Sequence, residues 1–264
     1  TGRQYFQQPN QVLVTMAPRN FIHNSPDRIV WGLLTGYPCC TTNMHQAWPK
    51  YVRNLWYATP DNGLAALAYG PCEVSAKVGQ GIDIRIEELT QYPFDETIRF
   101  MLSSPQTVSF PLRLRVPGWC DGAELLINGS TWDRPGGGQV VTIHREWNDG
   151  DVVELHLPMA VQVNVRMEQS VRVMRGPLVY ALRIGERWQT VGGQTPYFTR
   201  EVHPTSPWNY GLLRDVLTSP ESAFTVERSA EMADYPWSLE TVPIHLKTRG
   251  KRIPSWQLYN NMAG

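Results

Sequence analysis

Along most of the chain, apolar and polar residues alternate in short runs, and this period of two is typical of β-strands with one buried face. Such runs occupy residues 82–87, 108–116, 125–127, 153–157 and 161–165. The dipeptide Asn128-Gly129 follows one of these runs and is a strong hairpin signal, so we expect a turn there, with residues 140–143 as the return strand. Repeated short strands separated by turns predict a β-sandwich.

One stretch near the start has a helical period instead. Its apolar residues recur at spacings of three and four, which predicts an amphipathic helix over residues 43–57. Thr41 and Thr42 stand before it and are suited to cap its N-terminus. Pro49 removes one backbone donor inside the stretch, so we expect either a kink or a later start of the helix.

The remaining candidate elements are weaker. Residues 12–14 predict a short strand, and residues 28–34 predict a buried strand or the end of a helix. Residues 176–182 predict a further buried strand, and residues 242–247 a late strand after a loop-rich segment. The chain is therefore expected to be mainly β.

Two adjacent cysteines, Cys39 and Cys40, stand directly before the predicted helix. A helix N-terminus carries partial positive charge and free N–H donors, which lower the pKa of a nearby thiol and favour its thiolate as a nucleophile or metal ligand. The alternatives are that both cysteines are small buried residues or that they form a strained vicinal disulfide. We expect Cys72 and Cys120 to be buried or half-buried thiols, and a disulfide between them stays open.

Other titratable residues are interpreted as ordinary ones. His45 lies close to Cys39 in the sequence but is expected to face solvent, and His23 is expected to be a surface residue or a satisfied core residue. Glu87 and Glu88 are adjacent carboxylates near the end of a predicted strand. We expect them on a solvated face and not as an acid/base pair.

Composition excludes some partners and leaves others open. The 264 residues are 42% hydrophobic, which suffices for a sizeable core and leaves room for two domains. The 24 basic and 24 acidic residues cancel, so we expect neither nucleic acid nor an anionic membrane as a partner. No apolar run approaches the length of a membrane span. The sequence begins with Thr1, so we expect a processed or excised chain, and its compartment stays open.

Several motifs occur in a fixed order along the chain, at residues 36–43, 48–50, 92–94, 111–119 and 175–180. The first reads Gly-Tyr-Pro-Cys-Cys-Thr-Thr-Asn and includes both adjacent cysteines. In this order the motifs resemble the C-terminal part of glycoside hydrolase family 127, which contains β-L-arabinofuranosidases.

The resemblance implies a helical (α/α)6 barrel followed by β-sandwich domains. Residues 1–60 would then be the last barrel segment, residues 61–165 a β-sandwich and residues 166–264 a second, incomplete one. It also implies that Cys39 is the nucleophile of a retaining mechanism and a zinc ligand, with Cys40 as a second zinc ligand. A retaining glycosidase needs a nucleophile and a proton donor on opposite faces of the sugar, and zinc would hold down the basicity of a thiolate nucleophile.

The same resemblance implies that the site is incomplete in these residues. A Glu and a third Cys that complete the zinc shell, and a Glu that serves as general acid/base, are expected upstream of Thr1. Zinc in proteins ordinarily has four ligands, or three and a water, so two thiolates do not form a complete site. We expect activity only where another polypeptide supplies the rest of the barrel.

Three functions stay open. The first is part of a glycoside hydrolase acting on a carbohydrate such as a β-L-arabinofuranoside. The second is a non-catalytic β-sandwich that binds carbohydrate or packs against a partner. The third is a redox or structural metal protein. Bound zinc together with turnover would favour the first function. Sugar binding without metal would favour the second. Metal binding or thiol chemistry without affinity for sugar would favour the third.

Overall fold

The computed structural model of the chain describes residues 11–18, 30–32 and 38–263, and for residues 38–42 and 44 it describes the backbone alone. Of the residues, 47% are in strands and 9% in helices, which confirms the predicted mainly β fold. Within the described ranges, no helix is long and apolar enough to cross a membrane. His23 lies outside these ranges.

The structure divides into two compact units, which are described separately. The first unit is Lys50–Val179, and the second combines the described residues before Lys50 with residues 180–263. The domain boundaries expected at residues 60 and 165 stay predictions, as does the assignment of residues 1–60 to an (α/α)6 barrel.

The helix α1 begins and ends earlier than its apolar spacing predicted. It covers Pro38–Arg53, and proline suits the first helical position because its φ is fixed and its missing N–H would have no partner there. Thr41 and Thr42 therefore lie inside the helix, and the prediction that they cap it is wrong. Because α1 continues through Pro49, a later start is also wrong.

Much of the apolar face predicted for α1 is exposed. Trp48 is 62% exposed, Val52 58% and Tyr51 49%. Leu55 was expected on the same face, but it lies beyond the end of the helix and is only 4% exposed. That part of the prediction is wrong. The chain turns after Arg53, and the backbone of Leu55 is hydrogen-bonded to Leu67 and Ala68.

Two larger sheets lie in the first unit and pack against each other. The strands of the four-stranded sheet, in spatial order, are β1 (Trp56–Ala58), β2 (Leu64–Ala66), β6 (Val108–Arg115) and β9 (Val140–Trp147). Those of the six-stranded sheet are β3 (Cys72–Val78), β4 (Ile82–Thr90), β5 (Thr97–Ser103), β10 (Val152–His156), β7 (Glu124–Ile127) and β8 (Ser130–Asp133). Only the β2–β6 pair of these two sheets is parallel.

The two sheets share one apolar core, which confirms the predicted β-sandwich. Leu112 and Leu114 of β6 face the core from one sheet, and Ile86, Phe100 and Leu155 face it from the other. Each of these five residues is at most 1% exposed. Burial of one such side chain contributes about 1.5–3 kcal/mol, so the alternation along these strands fixes which face of each sheet is inside.

The turn at Asn128-Gly129 is confirmed, but its predicted return strand is wrong. Asn128 has φ 51° and Gly129 has φ 77°, the left-handed conformations that a two-residue type I′ turn requires. The turn leads into β8, while β9 pairs with β6 in the other sheet. Because all four residues of β8 are exposed, no apolar alternation marks it in the sequence.

A three-stranded sheet follows the sandwich. Its strands are β11 (Val161–Val165), β12 (Val171–Arg175) and β13 (Leu178–Tyr180), with a 3-10 turn at Met167–Gln169. Arg175 is 4% exposed and forms an ion pair with Glu96, so it links β12 to the sandwich. The buried strand predicted at residues 176–182 is wrong as to burial, because Val179 of β13 is 63% exposed.

The second unit consists of short elements. Its two-stranded antiparallel sheets pair β14 (Glu186–Gln194) with β15 (Tyr197–Pro204), β16 (Tyr210–Leu212) with β19 (Gly250–Arg252), β17 (Thr225–Arg228) with β18 (Ile244–Lys247), and β20 (Leu258–Tyr259) with β21 (Met262–Ala263). Two single-turn helices, α2 (Asp215–Thr218) and α3 (Pro220–Ala223), lie between these strands. β18 confirms the late strand predicted at residues 242–247.

Residues from the predicted early strands join the β14–β15 hairpin. Val14 forms an isolated antiparallel bridge with Val202, and Trp31 forms one with Arg200. Both bridges are on the edge of β15 that faces away from β14.

Candidate active site

The adjacent cysteines lie in the first turn of a long helix. Cys39 and Cys40 are the second and third residues of α1, and this first turn contains no acidic residue. Their side chains are outside the described part of the structure, so the nucleophile, buried-residue and vicinal-disulfide interpretations stay predictions. His45 is exposed, as expected.

The described residues do not form a metal centre by themselves. Among them, no group of three or more His, Cys, Asp or Glu side chains is close enough to hold a metal ion. Cys39 and Cys40 could supply two sulfur ligands, whereas structural zinc has four. The residues described here therefore do not fit a complete zinc site.

The C-terminal end of α1 is fixed within the first unit. Only two residues, Asn54 and Leu55, separate α1 from β1. The Asn54 side-chain amide donates to the Lys50 carbonyl at 2.6 Å, and the Leu55 carbonyl accepts from the amides of Leu67 and Ala68 at 3.0 and 3.4 Å. These hydrogen bonds fix the backbone between α1 and β1.

A buried carboxylate lies next to this junction. Glu88 of β4 is 1% exposed, and its Oε2 accepts a hydrogen bond from the Trp56 indole Nε1 at 2.9 Å. Its Oε1 accepts from the Gly70 amide at 2.9 Å, and the Cys72 thiol donates to Oε2 at 3.5 Å. Cys72 is also the direct cross-strand neighbour of Glu88.

Burial governs the protonation of this cluster. It raises the pKa of Glu88, although the hydrogen bonds from Gly70, Trp56 and Cys72 favour the carboxylate and oppose that shift. Burial and the nearby Glu88 carboxylate raise the pKa of Cys72 to about 11. Tyr69, whose hydroxyl donates to the Arg115 carbonyl at 2.6 Å, also has its pKa raised by burial.

The prediction that Glu88 lies on a solvated face is wrong. Glu87 is exposed as expected, but Glu88 has the same parity as Ile84 and Ile86 and therefore faces the core. The period of two that predicted β4 contained this signal. The charge of Glu88 suggested exposure, whereas its position in the strand indicates burial.

The two other cysteines are poor candidates for nucleophiles. Cys72 is half-buried and Cys120 buried, and both are free thiols, so the disulfide left open by the sequence is not formed. Burial raises the pKa of Cys120 to about 11, as it does for Cys72, and the thiol is the poorly reactive form. Because the chain has four cysteines, only Cys39 and Cys40 remain as candidates.

Comparison with known proteins shows that the sandwich resembles a domain of carbohydrate-cleaving enzymes. Residues 63–159 match the family model for the middle domain of GH127 β-L-arabinofuranosidases. The matched range covers most of the two sheets described above. The chain thus resembles a class of glycoside hydrolases, and within that class it resembles family 127, as its motifs indicated.

Solved structures give the same result. A GH127 β-L-arabinofuranosidase from Geobacillus stearothermophilus T6 aligns with a TM-score of 0.59 and 26% identity, covering 84% of this chain and 32% of that one. The GH127 β-arabinofuranosidase BT3674 aligns with a TM-score of 0.53 and 19% identity, covering 93% of this chain and 38% of that one, and shows the fold alone. The chain spans about a third of the length of these two relatives. No curated protein sequence matches the chain.

Proposed function

We propose that the chain is part of a retaining glycoside hydrolase that acts on β-L-arabinofuranosides, with Cys39 as its nucleophile. One observation carries the proposal. The first turn of α1 holds Cys39 and Cys40, and the same helix leads within two residues into β1 and the domain that matches the GH127 middle domain.

The first turn of a helix is a suitable place for a sulfur nucleophile. Its N–H groups and the partial positive charge of the helix end stabilise a thiolate, and no acidic side chain in this turn opposes that effect. In the proposed first step, Cys39 Sγ bonds to the anomeric carbon while the glycosidic C–O bond breaks and a general acid protonates the departing oxygen. Water then displaces the sulfur from the opposite side and gives its proton to the group that acted as the acid, which restores the thiolate, and two inversions give net retention.

The proton donor and the further zinc ligands are assigned to polypeptide outside these 264 residues, because the chain spans 32% of the Geobacillus relative. Cys39 and Cys40 would supply two sulfur ligands in the complete enzyme. Bound zinc would stabilise the thiolate form of the nucleophile. No step of the mechanism above depends on that ion.

Metal content and turnover of matched cysteine variants test the proposal. The chain, alone and extended by its upstream polypeptide, is assayed for zinc and for hydrolysis of an aryl β-L-arabinofuranoside. We expect Cys39→Ser to abolish turnover and both Cys39→Ser and Cys40→Ser to lose zinc. Cys72→Ser, a change at a thiol kept protonated by burial, is the matched control and should keep both.

The product configuration gives an independent check. Proton NMR of the first product released should show the β-anomer if the enzyme retains configuration. An α-anomer, or a Cys39→Ser variant of the extended protein with normal turnover, would contradict the assignment of Cys39.

The exposed side of α1 favours a second candidate, a module that packs against a partner. Trp48 and Val52, one turn apart, are 62% and 58% exposed. If this is the only role, Trp48→Ala should abolish association with the upstream polypeptide while Cys39→Ser and Cys40→Ser change neither metal content nor any activity.

A further inference from the structure

The hairpin β14–β15 has one side on which aromatic and charged side chains lie together. Directly paired residues share a side, so Trp188 lies beside Val202, and Thr190 lies beside Arg200. Trp31 joins this side because it bridges to Arg200. We call it the Trp188 face, formed by Glu186, Trp188 and Thr190 of β14, by Phe198, Arg200 and Val202 of β15, and by Trp31.

The indole of Trp188 is held in place although 47% of the residue is exposed. Its Nε1 donates to Glu186 Oε2 at 2.9 Å. Its ring lies 5.7 Å from that of Trp31, with 48° between the ring planes. An exposed aromatic ring that is already oriented loses little conformational freedom when a ligand binds.

Charged groups of both signs lie on the same side of the hairpin as the indole. Glu186 and Arg200 are exposed, and the Arg200 guanidinium lies 5.8 Å from the centre of the Phe198 ring, which orients it. A carboxylate accepts hydrogen bonds and a guanidinium donates them, so together they satisfy hydroxyl groups, which do both. Their charges cancel, which favours a neutral ligand over a phosphate or another anion.

We propose that the Trp188 face binds a neutral saccharide, with a sugar ring stacked on the indole and its hydroxyls hydrogen-bonded to Glu186 and Arg200. A sugar ring has an apolar C–H face and a polar rim, and this face of the hairpin presents an aromatic ring, a hydrogen-bond acceptor and a hydrogen-bond donor on one side. The choice of arabinofuranosyl chains as the ligand rests on the proposed function. The face lies wholly in the second unit, outside the matched GH127 middle domain.

Sugar titrations of matched tryptophan variants test this proposal. The chain is titrated with an L-arabinofuranosyl trisaccharide and with xylotriose while indole N–H signals are followed by NMR, and Trp188→Phe identifies the Trp188 signal. At least one sugar should shift this signal, and Trp188→Ala should weaken binding about tenfold or more, a loss of about 1.4 kcal/mol. Trp132→Ala removes an equally exposed indole, 48%, from the sandwich and should leave binding unchanged.

Two further variants keep the test independent of hairpin folding. Glu186→Ala and Arg200→Ala keep the Trp188 side chain, although Glu186→Ala removes the acceptor of its indole N–H, and each should weaken binding severalfold. Unchanged affinity in Trp188→Ala, or no response to either sugar, would overturn the proposal. A dimer in sedimentation that Trp188→Ala dissociates would also overturn it, because the face would then be occupied by a second copy of the chain.

The outcome is separable from that of the proposed function. Cys39→Ser should bind the sugar at the Trp188 face as the unchanged chain does. If Cys39→Ser loses binding and Trp188→Ala keeps it, the sugar binds near α1, and this proposal fails while the proposed function stands.

Discussion

A hydrogen bond from a tryptophan indole to a glutamate is found in both units, with different consequences. In the sandwich, the Trp56 indole donates to Glu88 at 2.9 Å, and on the hairpin, the Trp188 indole donates to Glu186 at 2.9 Å. Glu88 is 1% exposed, whereas Glu186 is on the surface. The buried bond satisfies polar groups that water cannot reach, while the exposed bond replaces one that water would make equally well.

The strands that carry these carboxylates differ in the same way. β4 and β14 each have nine residues, but β4 lies between β3 and β5 and faces the opposite sheet. Within the described part of the chain β14 pairs with β15 alone, and all nine of its residues are exposed. Because β15 has β14 on one edge and only the Val14 and Trp31 bridges on the other, we expect the hairpin to be less stable than the sheets of the sandwich.

The largest expected effect is that of a core deletion in the sandwich. Phe100→Ala removes a ring whose centre lies 5.7 Å from that of Trp56 and 6.2 Å from that of Tyr69, and it should lower the free energy of unfolding by about 3–5 kcal/mol. Phe198→Ala on the hairpin should lower it by less than about 1 kcal/mol. Urea denaturation measures both losses, and an equal or larger loss for Phe198→Ala would contradict the comparison.

A smaller effect is expected from removal of each carboxylate. Glu88→Ala leaves the Gly70 amide and the Trp56 indole N–H without their acceptor and should cost about 2 kcal/mol, part of the loss being offset by relief of the buried charge. Glu186→Ala should change stability by at most about 0.5 kcal/mol, because water replaces its carboxylate. Thermal unfolding of the two variants compares them, and a larger loss for Glu186→Ala would reverse the comparison.

The smallest effect is a change in pH dependence. Because burial raises the pKa of Glu88 above its value of 4.5 in the unfolded chain, the folded state holds the Glu88 proton more tightly. The contribution of Glu88 to stability is therefore full below pH 4.5 and is lost as the pH rises through the folded-state pKa. Glu88→Gln should remove this loss, so stability curves of the two proteins should differ most in slope above pH 4.5. Parallel curves would contradict the raised pKa.

The sequence predicted the sandwich well where one face of a strand is buried. Ile82, Ile84 and Ile86 gave the position and direction of β4 because their alternation reflects a real second layer. The same alternation predicts that Glu88 is buried, whereas its charge predicts exposure, and the alternation is the correct guide. By contrast, β8 and β14 are exposed at every residue, so no pattern of burial marks either strand.

The sequence predicted which residues are candidates for catalysis, but it could not predict their arrangement in space. The Pro-Cys-Cys sequence predicted two thiols near a helix start, and α1 places both in its first turn. The pairing of Trp188 with Trp31 could not be predicted, because it depends on a bridge between residues far apart in the sequence.

The parallel pairing of β2 with β6 affects the order of folding. Leu64 lies opposite Leu112, and β3, β4 and β5 of the other sheet all lie between them in the chain. Closing so long a loop before its contacts form is entropically costly, whereas the β3–β4 hairpin closes across a short turn. We expect pulse-labelling hydrogen exchange to show protection of β3 and β4 amides before those of β2. β1, which follows the cysteine-bearing helix and pairs with β2, would then also be among the last strands to form, so α1 would be attached to an incomplete sheet until late in folding.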